Sequence, residues 1–202
     1  MPALRRQILG LVALLAFAAF AHGQDAPLSR IAFGSCADQD KPLPIFDAVA
    51  AQKPELLILL GDNIYADLDK SRKVTTEVIK EKYDTLAKLP GWQKLRSTCP
   101  VLATWDDHDY GKNDAGVEWP LKDESQKVFL DFWGVPADSP RRKQKGVYSA
   151  EIFGPPGKRV QVILLDMRYF RSPLKRAARP DPDSGSRSEE HTSELQSPYV
   201  IS

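Results

Sequence analysis

Five consecutive apolar residues, Leu56-Leu57-Ile58-Leu59-Leu60, run directly into Gly61-Asp62-Asn63, and this feature narrows the fold more than any other. A strand that alternates apolar and polar residues keeps one wet face, whereas an unbroken run suits a strand covered on both faces inside a parallel sheet. Parallel neighbours need a long crossover, usually a helix. The flanks supply one: residues 44–52 read as a helix with Ile45, Phe46 and Val49 on one face, preceded by a short strand at 30–33. A second helical stretch at 75–89 leads through Pro90-Gly91 and a short helix to a strand at 101–104, giving the order βαβαβ. Beyond Asp123 a helical segment reaches Trp133 with Val128, Phe129 and Phe132 on one face. Residues 146–153 and 158–165 then read as strands joined by Gly154-Pro155-Pro156-Gly157, too short a link for a helical crossover and therefore a hairpin. The expected class is α/β, a layered domain that switches from parallel to antiparallel pairing.

The two ends stand apart from this pattern. Arg5 and Arg6 precede an apolar run at 8–21, and Ala21-His22-Gly23 offers small residues where a signal peptidase reads them, so residues 1–23 are a predicted signal peptide. The expected destination is the periplasm or the exterior, by the general secretory route or, given Arg5-Arg6, the twin-arginine route. The run falls short of the ~20 residues a spanning helix needs, so no stable membrane anchor is expected. Residues 187–202 have neither helical nor strand periodicity and follow the breaker-rich Arg179-Pro180-Asp181-Pro182-Asp183-Ser184-Gly185. They are similar to the conceptual translation of a common sequencing adapter, which would make residues 187–202 foreign and end the native sequence near Ser186; the plainer alternative is a disordered polar terminus. Residues 24–186 are left as the folded part.

Of the 202 residues 42% are apolar, enough for a core, and a formal net charge of +1 gives no reason to expect nucleic acid or an anionic membrane as partner. The dense basic stretch Arg141, Arg142, Lys143, Lys145 reads as a solvated loop rather than an anion site.

In a parallel α/β sheet the strand carboxyl ends share one edge, and the loops leaving it can converge on a ligand. Here those loops are Gly34-Ser35-Cys36, Gly61-Asp62-Asn63-Ile64-Tyr65, and residues 105–114, which read Trp-Asp-Asp-His-Asp-Tyr-Gly-Lys-Asn-Asp. A thiolate, a phenolate and several carboxylates gathered together would repel one another unless a cation lay among them. Taken singly, each has a plainer reading. Cys36 can be a small buried hydrophobe or the disulfide partner of Cys99, Asp62 a helix cap, Tyr65 a core residue and His108 a solvated turn residue. Their joint placement at three successive strand ends favours metal. His108 is the only histidine between the two ends, and imidazole beside carboxylates, which raise its pKa, suits a proton donor to a departing alkoxide.

At these residues the chain resembles the PhoD-like alkaline phosphatases of the metallophosphoesterase superfamily. The family's Gly-Ser-Cys loop is matched at 34–36, its Leu-Gly-Asp-x-Ile-Tyr at 60–65, its Trp-Asp-Asp-His-Asp/Glu with a following Asn-Asp at 105–114, and its Leu-Asp-x-Arg-Tyr by Leu165-Asp166-Met167-Arg168-Tyr169. The resemblance implies a sandwich of helices on two sheets and an active site holding ferric iron (Fe3+) and calcium (Ca2+). Carried over by residue, Cys36 and Tyr65 would bind iron, Asp62 would bridge the metals, and Asp107 and Asn113 would serve the second ion. Asp107 is chosen over Asp106 because Asp107-His108 stands where the superfamily has Asn-His. Arg168 would hold the phosphoryl oxygens, with a plain ion pair to Asp166 as its alternative.

The implied function is hydrolysis of a phosphate ester, mono or di, by in-line attack of a metal-held hydroxide, with His108 protonating the leaving group. The alternative from another class is a secreted module that binds metal or phosphate without catalysis. The family's C-terminal ligands, including an Asp-Arg-His type motif, have no counterpart before Ser186, so the expectation for this chain is a domain cut after its first part, inactive as it stands and with an apolar sheet face uncovered.

Overall fold

A computed structural model describes residues 26–174, so the predicted signal peptide and the 187–202 tail lie outside the described residues. All the described elements belong to one compact unit. Three short strands, β1 (Ile31–Gly34), β2 (Leu56–Leu59) and β3 (Val101–Ala103), form a parallel sheet in the order β1-β2-β3. Ile31 pairs with Leu56 in the first ladder and Leu57 with Val101 in the second. The crossovers are α1 (Ile45–Ala51) and the pair α2 (Thr76–Lys88) and α3 (Pro90–Arg96). The Thr75 side chain caps α2 by accepting from the backbone N of Val78 at 3.4 Å. Pro90, at the first position of α3, lacks the N–H that α2 would need to continue, so one helix stops where the next starts.

After β3 come a single helical turn α4 (Asp107–Tyr110), the helix α5 (Lys122–Phe132), a 3-10 turn at Pro140–Arg142, and the antiparallel hairpin β4 (Ser149–Phe153) and β5 (Val160–Leu164). The hairpin is tied to the parallel sheet where Thr104 Oγ1 donates to the Leu165 carbonyl at 2.8 Å.

Leu57, Leu59 and Ala103 point from the sheet into a core built with Phe46, Ile79, Tyr83, Leu86, Trp92, Leu95 and Phe129 from the helices. Its centre is aromatic: Trp105 lies 5.5 Å from Phe129 and 4.9 Å from Tyr110, both edge-on. These rings hold the segment after β3 against α5, and so fix where α4 begins. Full burial on both faces holds only for the start of β2, where Leu56 and Leu57 are 0% and 3% exposed, while Ile58 is half-buried. On β1 the alternate residues Ile31 and Phe33 are uncovered, Phe33 being 73% exposed, and Ile163 and Leu165 are also bare.

The basic stretch is neither a freely solvated loop nor an anion site at its first two members. Arg142 donates to the carbonyls of Leu130, Val135 and Pro136 and pairs with Asp131 at 2.6 Å, so it closes the C-terminal end of α5. Arg141 donates to the Val147 carbonyl at 2.9 Å. Unsatisfied carbonyls at a helix end attract cationic donors, a demand that a count of basic residues does not reveal.

Gly61 marks the closest approach between the ends of β2 and β3. Its φ is +118°, and a Cβ there would come within 2.6 Å of Asp106 Cβ. Gly61→Ala is therefore expected to cost about 2 kcal/mol or more of stability, from backbone strain and overlap together. Urea unfolding of both proteins measures this; equal midpoints would show that the two loops do not meet so tightly.

Candidate metal centre

The three strand-end loops meet, and the backbone laces them. Cys36 N donates to the Gly61 carbonyl at 3.2 Å and Ala37 N to the Asp62 carbonyl at 2.8 Å, joining the first loop to the second. His108 N reaches Asp62 Oδ1 at 3.4 Å, and Ala66 N reaches the His108 carbonyl at 3.4 Å, joining the second to the third. Cys36 and Asp62 both sit in the left-handed region, at φ 61° and 51°. Such conformations are costly for non-glycine residues and persist where the surroundings over-determine them.

Beneath the site lies a buried anchor that the motif reading leaves without a role. Asp109 is fully buried; its Oδ1 accepts from the backbone N and the Nδ2 of Asn63, both at 2.8 Å, and from Tyr83 OH at 3.2 Å. Its Oδ2 accepts from Asp106 N at 3.0 Å. One carboxylate thus ties the loop after β2, the turn α4 and helix α2. Burial, aided by the charge of Asp62, pushes its pKa up to about 7 against the pull of those amides.

Above it, Asp62, Asp107 and His108 each offer a donor atom within 4.8 Å of the others. Asp62 Oδ2 also lies 3.6 Å from Cys36 Sγ and 3.5 Å from Tyr65 OH. Five of the seven residues singled out from the sequence therefore surround one spot. Tyr65 is positioned by Gln39, whose Oε1 accepts from the Tyr65 backbone N at 2.7 Å, and its ring lies 4.3 Å from that of His108. Cys36 is exposed and unbonded to Cys99, so the disulfide alternative does not occur. Asp62 does not cap the next helix, α2, which Thr75 caps; its Oδ1 accepts the His108 amide in the first turn of α4 instead.

Arg168 and Asn113 differ from their expected settings. Arg168 does not pair with Asp166, whose carboxylate is occupied by the backbone N of Val147, Arg168 and Tyr169. Its guanidinium turns to Asp106, through Nε, and lies 3.8 Å from Asp107 Oδ2 through Nη2. Asn113 has an exposed side chain that donates to Asp114 Oδ2 at 2.8 Å, so only its backbone N, bonded to Asp67 Oδ2 at 2.8 Å, reaches the laced loops.

Asp67 is the residue the sequence reading missed. Its Oδ1 lies 2.5 Å from His108 Nδ1. Burial alone would lower the imidazole pKa, but this hydrogen bond and the charges of Asp67, Asp107 and Asp62 carry it above the ordinary histidine value. Asp67 itself, despite burial, is held below the usual carboxylate range by His108 and the Asn113 amide. The signal available was a second carboxylate in the same loop as Asp62.

The donors fit a metal. Burial, then the charges of Asp106 and Asp107, push Asp62 up to about 6, and the charge of His108 offsets this only in part. A thiol and a phenol suit a strongly Lewis-acidic ion, and the carboxylates suit an oxygen-preferring one. Because its folded-state pKa is raised, Asp62 binds its proton more tightly in the folded chain, so its contribution to stability falls as pH rises from about 4, the unfolded value, to about 6. In cation-free protein, Asp62→Asn should therefore gain in thermal midpoint relative to wild type across that window, and added cation should erase the gain by stabilising wild type selectively. A midpoint difference that ignores both pH and cation would count against the site.

Among the described residues no helix is long and apolar enough to cross a membrane. A comparison with curated proteins returns no match. The fold is similar to the solved structure of PhoD, with a TM-score of 0.58 and 17% identity over 74% of this chain. That alignment covers 33% of the PhoD chain, so the present chain spans about a third of its length. The PhoD-like phosphatase family model matches residues 31–198, a span that takes in all the laced loops and runs past Ser186. The chain belongs to the PhoD-like phosphatase family.

Proposed function

We propose that this chain carries part of the active site of an exported, metal-dependent phosphoester hydrolase. The observation behind the reading is the meeting of Cys36, Asp62 and Tyr65 with Asp107 and His108 at the carboxyl edge of the sheet. Cys36, Tyr65 and Asp62 would hold iron, and Asp62 with Asp107 would hold calcium; Asn113 joins them only by turning its amide away from Asp114. Bound there, the cations supply Lewis-acid stabilisation to phosphoryl oxygens and lower the pKa of water.

The remaining work falls to side chains already in place. Arg168 presents a planar cation beside Asp107, suited to two equatorial phosphoryl oxygens. His108 has Nδ1 committed to Asp67, which leaves Nε2 to give a proton to the departing alkoxide. Its raised pKa favours the protonated, proton-donating form. Asp67 fixes the ring's orientation and tautomer, and the inclined Tyr65 ring, 4.3 Å away, restricts its motion. The substrate is a phosphate ester.

The test is hydrolysis of an aryl phosphate by the metal-loaded, full-length gene product. His108→Ala should lower turnover by about 10²- to 10⁴-fold with metal content unchanged. Asp67→Asn should lower it by about 10- to 100-fold and move the alkaline limb of the pH profile to lower pH, since the group that raises the imidazole pKa is gone. Full metal loading and phosphate binding without turnover would favour the non-catalytic binding module instead; unaltered turnover in His108→Ala would remove His108 from the reaction.

A further inference from the structure

The adjacent aspartates 106 and 107 have opposite environments. Asp107 is buried in the metal cluster, whereas the Asp106 side chain is 40% exposed and outside it. Asp106 is nonetheless held in place. Its backbone N donates to Asp109 Oδ2 at 3.0 Å, its carboxylate takes part in a capping box with Asp109, and its Cβ fills the space left by Gly61. This anchored carboxylate accepts from Nε of Arg168. Arg168 is fixed at the other end, where its backbone N donates to Asp166 Oδ1 at 2.9 Å, and its side chain is only 14% exposed. Among the described residues none accepts a hydrogen bond from Nη1 or Nη2, and Nη2 lies 3.8 Å from Asp107 Oδ2, too far for one.

From this we infer that Asp106 is a positioning residue: by engaging the Nε of Arg168 it aims the two terminal nitrogens at the site where a phosphoryl group binds. A guanidinium has a limited set of donors in a rigid fork. Spending Nε on a fixed carboxylate orients the plane and leaves the terminal nitrogens for two anionic oxygens, the bidentate arrangement that makes arginine effective with phosphate. The inference rests on the phosphoryl-binding role proposed above for Arg168 and adds the residue that sets its geometry.

Electrostatics makes the test directional. Asp106 is an anion near an anion-binding site, so removing its charge while Arg168 stays in place should tighten phosphate binding. Positioning predicts the reverse. The experiment titrates inorganic phosphate into metal-loaded protein by calorimetry for wild type, Asp106→Ala, Asp106→Asn, Arg168→Ala and the double alanine variant, with thermal midpoints recorded alongside. Asp106→Ala is expected to weaken phosphate by at least about tenfold, the worth of a lost charge-assisted contact. Asp106→Asn keeps an oxygen acceptor for Nε and should retain affinity, which also separates positioning from charge. In the Arg168→Ala background, Asp106→Ala should have no further weakening effect, because the two residues act as one unit.

Tighter or unchanged binding in Asp106→Ala overturns the inference, as does equal loss with and without Arg168. If Arg168→Ala itself leaves phosphate affinity unchanged, the role of Arg168 fails and Asp106 falls with it. If Arg168→Ala weakens binding and Asp106→Ala does not, only the positioning role is lost. Should Asp106→Ala unfold, weakened phosphate binding by a folded Asp106→Asn protein would equally contradict the inference.

Discussion

The site depends on one buried carboxylate. Asp109 accepts four hydrogen bonds from groups that belong to three separate parts of the chain, the loop after β2, the turn α4 and helix α2. A fully buried acid is tolerated only with partners. Without them the backbone amides of Asn63 and Asp106 would be buried donors without acceptors, each a loss of about 1–3 kcal/mol. The consequence is positional: Asn63 follows Asp62 and Asp106 precedes Asp107, so a single interaction holds the neighbours of two carboxylates that face the metal cluster. Function here follows from a hydrogen-bond demand in the core.

That arrangement concentrates negative charge above the anchor. Asp62 is pushed up to about 6 by burial and by Asp106 and Asp107 together, and Tyr65 is pushed far above the ordinary phenol range by burial, by Cys36 and by Asp62. Two protein groups partly answer the charge. Arg168 faces Asp106 and Asp107, and His108 faces Asp67, Asp107 and Asp62. Neither lies between Cys36, Tyr65 and Asp62, which are brought within 3.6 Å of Asp62 Oδ2 without a basic side chain interposed among the described residues. The folded chain pre-assembles the donors, and under the proposed function the interaction that rewards their assembly is a bound cation.

The sequence was informative where one local property decides the outcome. An unbroken apolar run, helices with one apolar face and a turn too short for a crossover predicted the order of the five described strands and the switch to antiparallel pairing, because each is set by burial or by chain geometry within a few residues. The meeting of Cys36, Asp62, Tyr65, Asp107 and His108 was legible for the same reason, since strand carboxyl ends share an edge. Pairings between side chains were not. Arg168 had a near acid, Asp166, and a distant one, Asp106; the near one is consumed by two backbone amides of its own turn and by the distant amide of Val147, which no pattern of residue types announces. Asp67 was hidden likewise, because its link to His108 spans 41 positions and exists only once the two loops cross. Apolar burial on both faces was expected of the whole run at 56–60, yet Ile58 and Leu60 remain partly uncovered, because strand hydropathy records what a face suits and not what covers it.

The left-handed backbone at Cys36 and Asp62 joins these threads. Each residue stands just past the end of a strand, where the chain must turn sharply to bring a side chain back over the sheet edge rather than on along the strand. Glycine precedes Asp62 at a φ of +118° and lies against Asp106, so two consecutive residues adopt conformations that side chains resist. Strain of this kind is sustained only where the surroundings restore what it costs, and the restoring contacts are visible: Cys36 N and Ala37 N bond across to the Gly61 and Asp62 carbonyls, while Asp109 fastens the next residue, Asn63. The donors are thus oriented by backbone geometry first and by side-chain rotamers second, which limits how far they can relax apart when their charges repel.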